Sequence, residues 1–211
     1  DFWGKHKFKT ELLSNKENIH IKNPYFNNSK KLLKPDVPGN IVAMVHFGRS
    51  GTGLLHSLID GHSEASTLPS IYFSEFFDPS VWNKIIASGW DEIVNCFIAN
   101  YQVFFDAACP DPVASISGKS IGSLGCKEGM VNVGSKKNEI LRVDKKAFRR
   151  ELSRLLRFHD RLDAFVFFKL VHSAYNKAVK DFNEKRLIFY HIHNPDTFAQ
   201  LNFLRLAPNA K

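Results

Sequence analysis

The chain alternates apolar runs with helical periodicity. Ile41-Val-Ala-Met-Val45 is unbroken, rich in β-branched residues, and entered through the turn-forming Pro38-Gly39-Asn40. Such a run suits a buried parallel strand. After a short loop, Leu54, Leu55, Leu58 and Ile59 recur at helical spacing, which predicts an amphipathic helix with that face turned to a core. Asp78-Pro79 opens a further helix, Pro79 to Ala87, which Gly89 ends. Trp90 to Phe105 reads as another, with Ile93, Phe97, Tyr101 and Phe104 on one stripe. Asp144 is placed to cap a helix over Lys145 to Phe158. Ala164 to Val171 fits a core strand or the start of a helix, and its continuation to Val179 favours the helix. Leu187 to Ile192 reads as a strand ended by Pro195, and Thr197 onwards as a last helix that runs out in Leu206-Ala-Pro-Asn-Ala-Lys211.

This order predicts an α/β domain with a mostly parallel central sheet flanked by helices. Residues 1–38 are polar and read as an arm or irregular segment, with a short helix placed near Thr10 to Asn15; residues 39–211 form the domain. The aromatic side chains at 90–105 read as core, or as a wall against a bound sugar or adenine. Pro110 to Ser135 is rich in Gly, Ser and Pro and shows no period. It is a long loop or a set of short strands, serving as a lid over a ligand or as a surface excursion.

Composition adds a few bounds. Of 211 residues, 44% are hydrophobic and 19 are Phe, enough for a sizeable core. No apolar run approaches the roughly 20 residues of a bilayer span. The chain starts at Asp1, which leaves open a leader already removed. Cys96, Cys109 and Cys126 lack metal-like spacing and read as reduced thiols of a cytoplasmic protein; a Golgi lumen would apply if an anchor had been removed. Asn27-Asn28-Ser29 matches a glycosylation sequon. The net charge of +8 would draw an anionic cofactor. Nucleic acid is not the expected partner, because the basic residues are scattered. The densest group, Lys136-Lys137 through Arg149-Arg150, reads as a solvated surface.

The loop between the first strand and its helix carries the chemistry. Gly48, Gly51 and Gly53 lack a Cβ and let backbone amides approach an anion. The unpaired amides of the first helical turn point at it, and the helix dipole adds positive charge. Arg49 supplies a fixed fork of donors, and Ser50 and Thr52 supply hydroxyls. The loop is not a nucleoside-triphosphate P-loop, which ends Gly-Lys-Ser/Thr. Gly118-Lys119-Ser120 has that ending, but Val113 stands where the first glycine is required. The dinucleotide fingerprint fails too, because the glycines read Gly-x-x-Gly-x-Gly.

Gly48-Arg49-Ser50-Gly51-Thr52-Gly53-Leu54-Leu55 resembles the 5'-phosphosulfate loop of the sulfotransferases that use 3'-phosphoadenosine 5'-phosphosulfate (PAPS). Their loop commonly reads Pro-(Lys/Arg)-Ser-Gly-Thr-Thr-(Leu/Trp)-Leu. Gly48 replaces the proline and Gly53 the second threonine. Ser57-Leu-Ile-Asp-Gly-His62 is similar to the family's Leu-Leu-Asp-x-His. The resemblance implies transfer of a sulfuryl group from PAPS to the hydroxyl or amine of a small-molecule or carbohydrate acceptor, with no metal.

His191-Ile192-His193-Asn194-Pro195 resembles the family's Lys-Thr-His-x-Pro at the end of a parallel strand. The resemblance makes His193 the base that takes the acceptor's proton, and sets His191 where the family has a lysine touching the transferred group. An imidazole suits that proton transfer at neutral pH. Glu75, set among aromatic neighbours, is the other expected base or else a surface carboxylate. In the family, Pro-x-Ala-Lys leads into a strand bearing an arginine that, with a later serine, grips the 3'-phosphate. Pro208-Asn-Ala-Lys211 matches the lead-in, and neither gripping residue has a counterpart within 39–211. Weak cofactor binding is the expectation for this piece alone. Two other classes share the strand-loop-helix: a kinase-like P-loop protein with Mg²⁺, and a non-catalytic phosphate-binding module.

Overall fold

Two seven-residue strands set the framework. In the computed structural model, which describes residues 19–26, 37–46, 50–69, 73–110, 125–126, 129–193 and 197–211, β2 (Asn40–His46) lies parallel to β5 (Leu187–His193). The register runs from Asn40 opposite Leu187 to His46 opposite His193, so both strands end together. A two-residue strand, β3 (Ala65–Ser66), pairs parallel with the other edge of β5, giving the order β2-β5-β3. The fold is thus α/β with a small parallel sheet flanked by helices. Parallel neighbours require crossover connections, and helices fill them. They are α1 (Thr52–Ile59), α2 (Pro79–Ile86), α3 (Ile93–Asn100), α4 (Lys145–Leu156), α5 (Ala164–Ala178) and α6 (Thr197–Leu206).

Three helices start where the sequence places a carboxylate cap. Asp78 accepts from the Ser80 amide at 2.8 Å, Asp144 from the Lys146 and Ala147 amides, and Asp163 from the Val166 amide at 2.7 Å. The Trp90 to Phe105 stretch is broken where a single helix was expected. After α3, Tyr101 turns at φ −119° and ψ 46°, and a 3₁₀ turn follows over Gln102–Phe104. The break lets Tyr101, Val103, Phe104 and Phe105 all face inward, which one straight helix could not do.

Residues 19–26 dock on the domain. Ile21–Lys22 (β1) pairs antiparallel with Arg161–Leu162 (β4), and the Trp82 indole donates to the Ile19 carbonyl at 2.9 Å. In the region placed as a long loop or short strands, Val133 forms an isolated antiparallel bridge with Glu139 just beyond it, and a second bridge, Asp106 with Arg142, flanks the region. The proposed short helix at 10–15, the sequon at 27–29 and residues 111–124 lie outside the described residues.

Phenylalanines fill the space between sheet and helices. Phe73, Phe76, Phe77, Phe97, Phe104, Phe148, Phe167, Phe168 and Phe203 are fully buried. The Phe168 ring lies 5.5 Å from Phe73, 5.1 Å from Phe77 and 4.9 Å from Tyr190, linking α5 to the 73–77 turn and β5. The Tyr190 hydroxyl shares its proton between the Phe73 and Ser74 carbonyls, and Asn202 Nδ2 donates to the Phe77 carbonyl at 2.7 Å. The aromatic residues at 90–105 are therefore core.

The leucine face of α1 stands open among the described residues. No residue of α1 is buried: Leu54 is 68% exposed and Leu58 74%. The periodicity correctly marks an apolar face, but nothing among the described residues covers it.

Replacing Phe168 by Ala should cost about 3–5 kcal/mol in denaturant unfolding, the usual range for a buried aromatic. Asp163→Ala, which removes only a cap, should cost about 1 kcal/mol. Equal losses would show that Phe168 does not organise the core.

Candidate functional site

The carboxyl ends of β2 and β5 open beside the start of α1. Gly51 occupies the N-cap in the left-handed region, φ 77° and ψ 9°, which glycine reaches at little cost. It brings no side chain to cap the helix, and no acidic residue lies in the first turn. The N-cap residue itself thus claims none of the first amides, and no first-turn carboxylate does so. A side chain at Gly51 or Gly53 would meet nothing within 4 Å, so this half of the loop is open. Ser50 is exposed and Thr52 half-buried, its hydroxyl 3.5 Å from His46 Nδ1. Gly48 and Arg49 lie outside the described residues.

Three imidazoles converge here. His56 Nδ1 lies 2.9 Å from His191 Nε2, so one ring donates to the other. The His46 ring packs edge-on to His191 with centroids 5.5 Å apart. His191 is 3% exposed. Burial, and then the neighbouring His56 and His46 rings, press its pKa down to about 3. Burial also lowers His56, partly offset by Asp60. His191 is thus a neutral imidazole at physiological pH. It therefore brings no positive charge to the place where the resembled family has a lysine. Three histidines do not make a metal centre: among the described residues no group of His, Cys, Asp and Glu has the geometry to hold an ion.

His56 and His191 border a cavity of about 860 Å³. One wall is α1 from Thr52 to Asp60, and the second is the segment from Ala65 to Pro69. Met130, Val133 and Leu141 form a third, and the end of α5 with Lys185 closes it. Glu75 is not among its lining residues. It is exposed on the 73–77 turn while Phe73, Phe76 and Phe77 point inward. Its charge is felt instead by the buried Tyr101 hydroxyl, whose pKa rises mainly through burial. Glu75 therefore takes the surface alternative. The backbone of His193 ends β5 opposite His46, and its side chain lies outside what the structure describes. Lys169 and His172 do not line the cavity. Lys169 lies over the Phe165 ring at 4.9 Å, and His172 is buried against Ser66, with Nδ1 to Oγ at 2.9 Å.

His46 and His56 are site residues that motif reading passed over, and Asp60 was marked only as part of the Ser57 to His62 resemblance, with no site role. The available signal was geometric: a histidine ending the strand before the loop, and another four residues into the helix from Thr52, can face a histidine on a paired strand. The three cysteines carry free thiols, and no described helix is long and apolar enough to cross a membrane.

Neutral burial of His172 and His191, each with a pKa near 3, has a pH signature. Between about pH 6.5 and 3 the unfolded chain binds protons at these positions and the folded chain does not, so stability falls on acidification. Each group adds a slope of about 1.4 kcal/mol per pH unit over that window. Urea midpoints from pH 7 to 4 should fall, and His172→Asn should flatten the fall. An unchanged slope would place the proton uptake elsewhere.

No family model, curated protein or solved structure matches this chain.

Proposed function

We propose that this domain transfers a sulfuryl group from PAPS to an acceptor hydroxyl or amine. One observation carries the reading: a glycine-capped, acid-free start of α1 at Gly51 opens at the same sheet edge as His191 and His193, beside a cavity able to hold a substrate. In open α/β sheets ligands bind outside the carboxyl ends of the strands.

In this reading Arg49 and the amides of Ser50 to Gly53 hold the 5'-phosphosulfate and absorb charge as the bridging oxygen leaves. Gly48 leaves the loop free of a side chain. His193 takes the acceptor proton, and His191 anchors His56 at the cavity wall. A second observation fits. The Lys211 amide donates to the Ile41 carbonyl at 3.0 Å, and the Ala43 amide donates to the Lys211 carbonyl at 2.8 Å. That is a parallel bridge on the open edge of β2, where the resembled family continues into its 3'-phosphate strand.

Adenosine 3',5'-bisphosphate should raise the melting temperature and ATP with Mg²⁺ should not. Stabilisation by ATP with Mg²⁺ alone would favour a kinase-like protein, and no response to either would sink the proposal. Arg49→Ala should weaken bisphosphate binding about tenfold or more, the worth of a charge-assisted contact of about 1.5–3 kcal/mol. His193→Ala should leave that affinity near normal while sulfuryl transfer collapses. An unchanged rate would take the base role from His193.

A further inference from the structure

The cavity beside α1 is charged against the trend of the chain. The whole sequence carries 29 Lys and Arg against 21 Asp and Glu. Among the described residues lining the cavity, the ionic groups are Asp60, Asp181 and Lys185, one positive against two negative. Lys185 is not available to a ligand. Its side chain is 5% exposed, its Nζ lies 2.6 Å from Asp181 Oδ2, and it donates to the His62 carbonyl at 2.7 Å. Asp181 is neutralised by the same pair.

Asp60 is left. Thr67 Oγ1 donates to its carboxylate and fixes its position, and no described cation pairs with it. The described titratable groups around it, other than the paired Lys185, bring no positive charge. His56 is lowered by burial, His191 is held near 3, and the Tyr175 hydroxyl is pushed upward by burial and by Asp60 itself. Asp60 is also the C-cap of α1, at the negative end of the helix dipole. Both effects favour a cation at this end. An anion would meet a carboxylate that no described cation offsets. The opposite end of α1, about 12 Å away by helix rise, has the opposite preference. Between them Leu68, Met130, Leu141 and Val179 give the cavity apolar walls.

We propose that this cavity binds an organic cation with an apolar body, its ammonium group set against Asp60 and its body along Leu68, Met130 and Leu141. The inference rests on the sulfotransferase reading in making that compound the acceptor, with its hydroxyl directed towards Thr52 and Gly53. It disfavours acidic polysaccharides as acceptors.

Calorimetric titration of the intact protein with three probes of one shape and different charge tests it: tryptamine, tryptophol and indole-3-propionate. Tryptamine should bind at least about tenfold more tightly than tryptophol, as a charge-assisted contact implies, and the propionate should bind most weakly. Asp60→Asn keeps an acceptor for Thr67 and should bring tryptamine down to the level of tryptophol. If that variant does not fold, the preference for tryptamine in the unaltered protein should shrink from low to high salt. Equal or tighter binding of the propionate, a tryptamine preference that survives Asp60→Asn or, where that variant does not fold, high salt, or no binding of any probe would overturn the proposal. Titration with adenosine 3',5'-bisphosphate separates the two readings. Tryptamine binding without nucleotide binding removes the sulfotransferase and keeps the cation site, and the reverse result removes only the cation site.

Discussion

Parallel pairing of β2 with β5 is the constraint on which the rest depends. It sets His46 opposite His193 and Met44 opposite His191, so one end of the sheet gathers groups that are far apart in sequence. A slip of one residue would turn the alternate side chains of β5 to the wrong face, burying neither Tyr190 nor Ile192 correctly. The aromatic cluster enforces the register. Tyr190 can reach the Phe73 and Ser74 carbonyls only if it points into the Phe168 side of the sheet. Packing on one face thereby positions chemistry at the strand ends.

Desolvation then decides what that chemistry can be. A buried imidazole with no anion beside it gives up its charge, and His191 and His172 both do so. The described part of the site therefore contains few fixed positive groups. Positive potential for an anion must come from the start of α1 and from the loop before it, while the carboxylate at the other end of the helix has the opposite sign. One eight-residue helix separates the two, and its dipole reinforces both.

Much of this arrangement was legible in the sequence, for local reasons. Asp78 and Asp144 announce helix starts because a short carboxylate satisfies amides within its own turn. The strand runs at 41–45 and 187–192 are visible because their apolar pattern is continuous. What was not legible depends on pairing. Nothing local links His56 to His191 across the fold, and the 2.9 Å contact exists only because α1 leaves β2 towards β5. The break at Tyr101 was hidden for a similar reason. Its helical periodicity is sound, and the departure comes from the room that surrounding rings leave for Phe104 and Phe105. Glu75 shows the limit of composition: aromatic neighbours in sequence do not desolvate a side chain that the turn points outwards.

The apolar face of α1 makes the same point in reverse. Periodicity identifies which side of a helix is built for burial and is silent on what does the burying. Leu54, Leu55 and Leu58 are spaced as a core face yet stand exposed, as does Val45 at the end of β2. The free edge of β2 meets only Lys211 among the described residues, through a parallel bridge. A bare strand edge and a bare leucine face are both costly surfaces, one for its unpaired amides and one for its contact with water. Towards His191 the helix presents Thr52, His56 and Asp60 to the cavity, with Leu54 at its border. The helix therefore carries polar groups on its cavity side and, beside them, a leucine face whose pattern calls for cover.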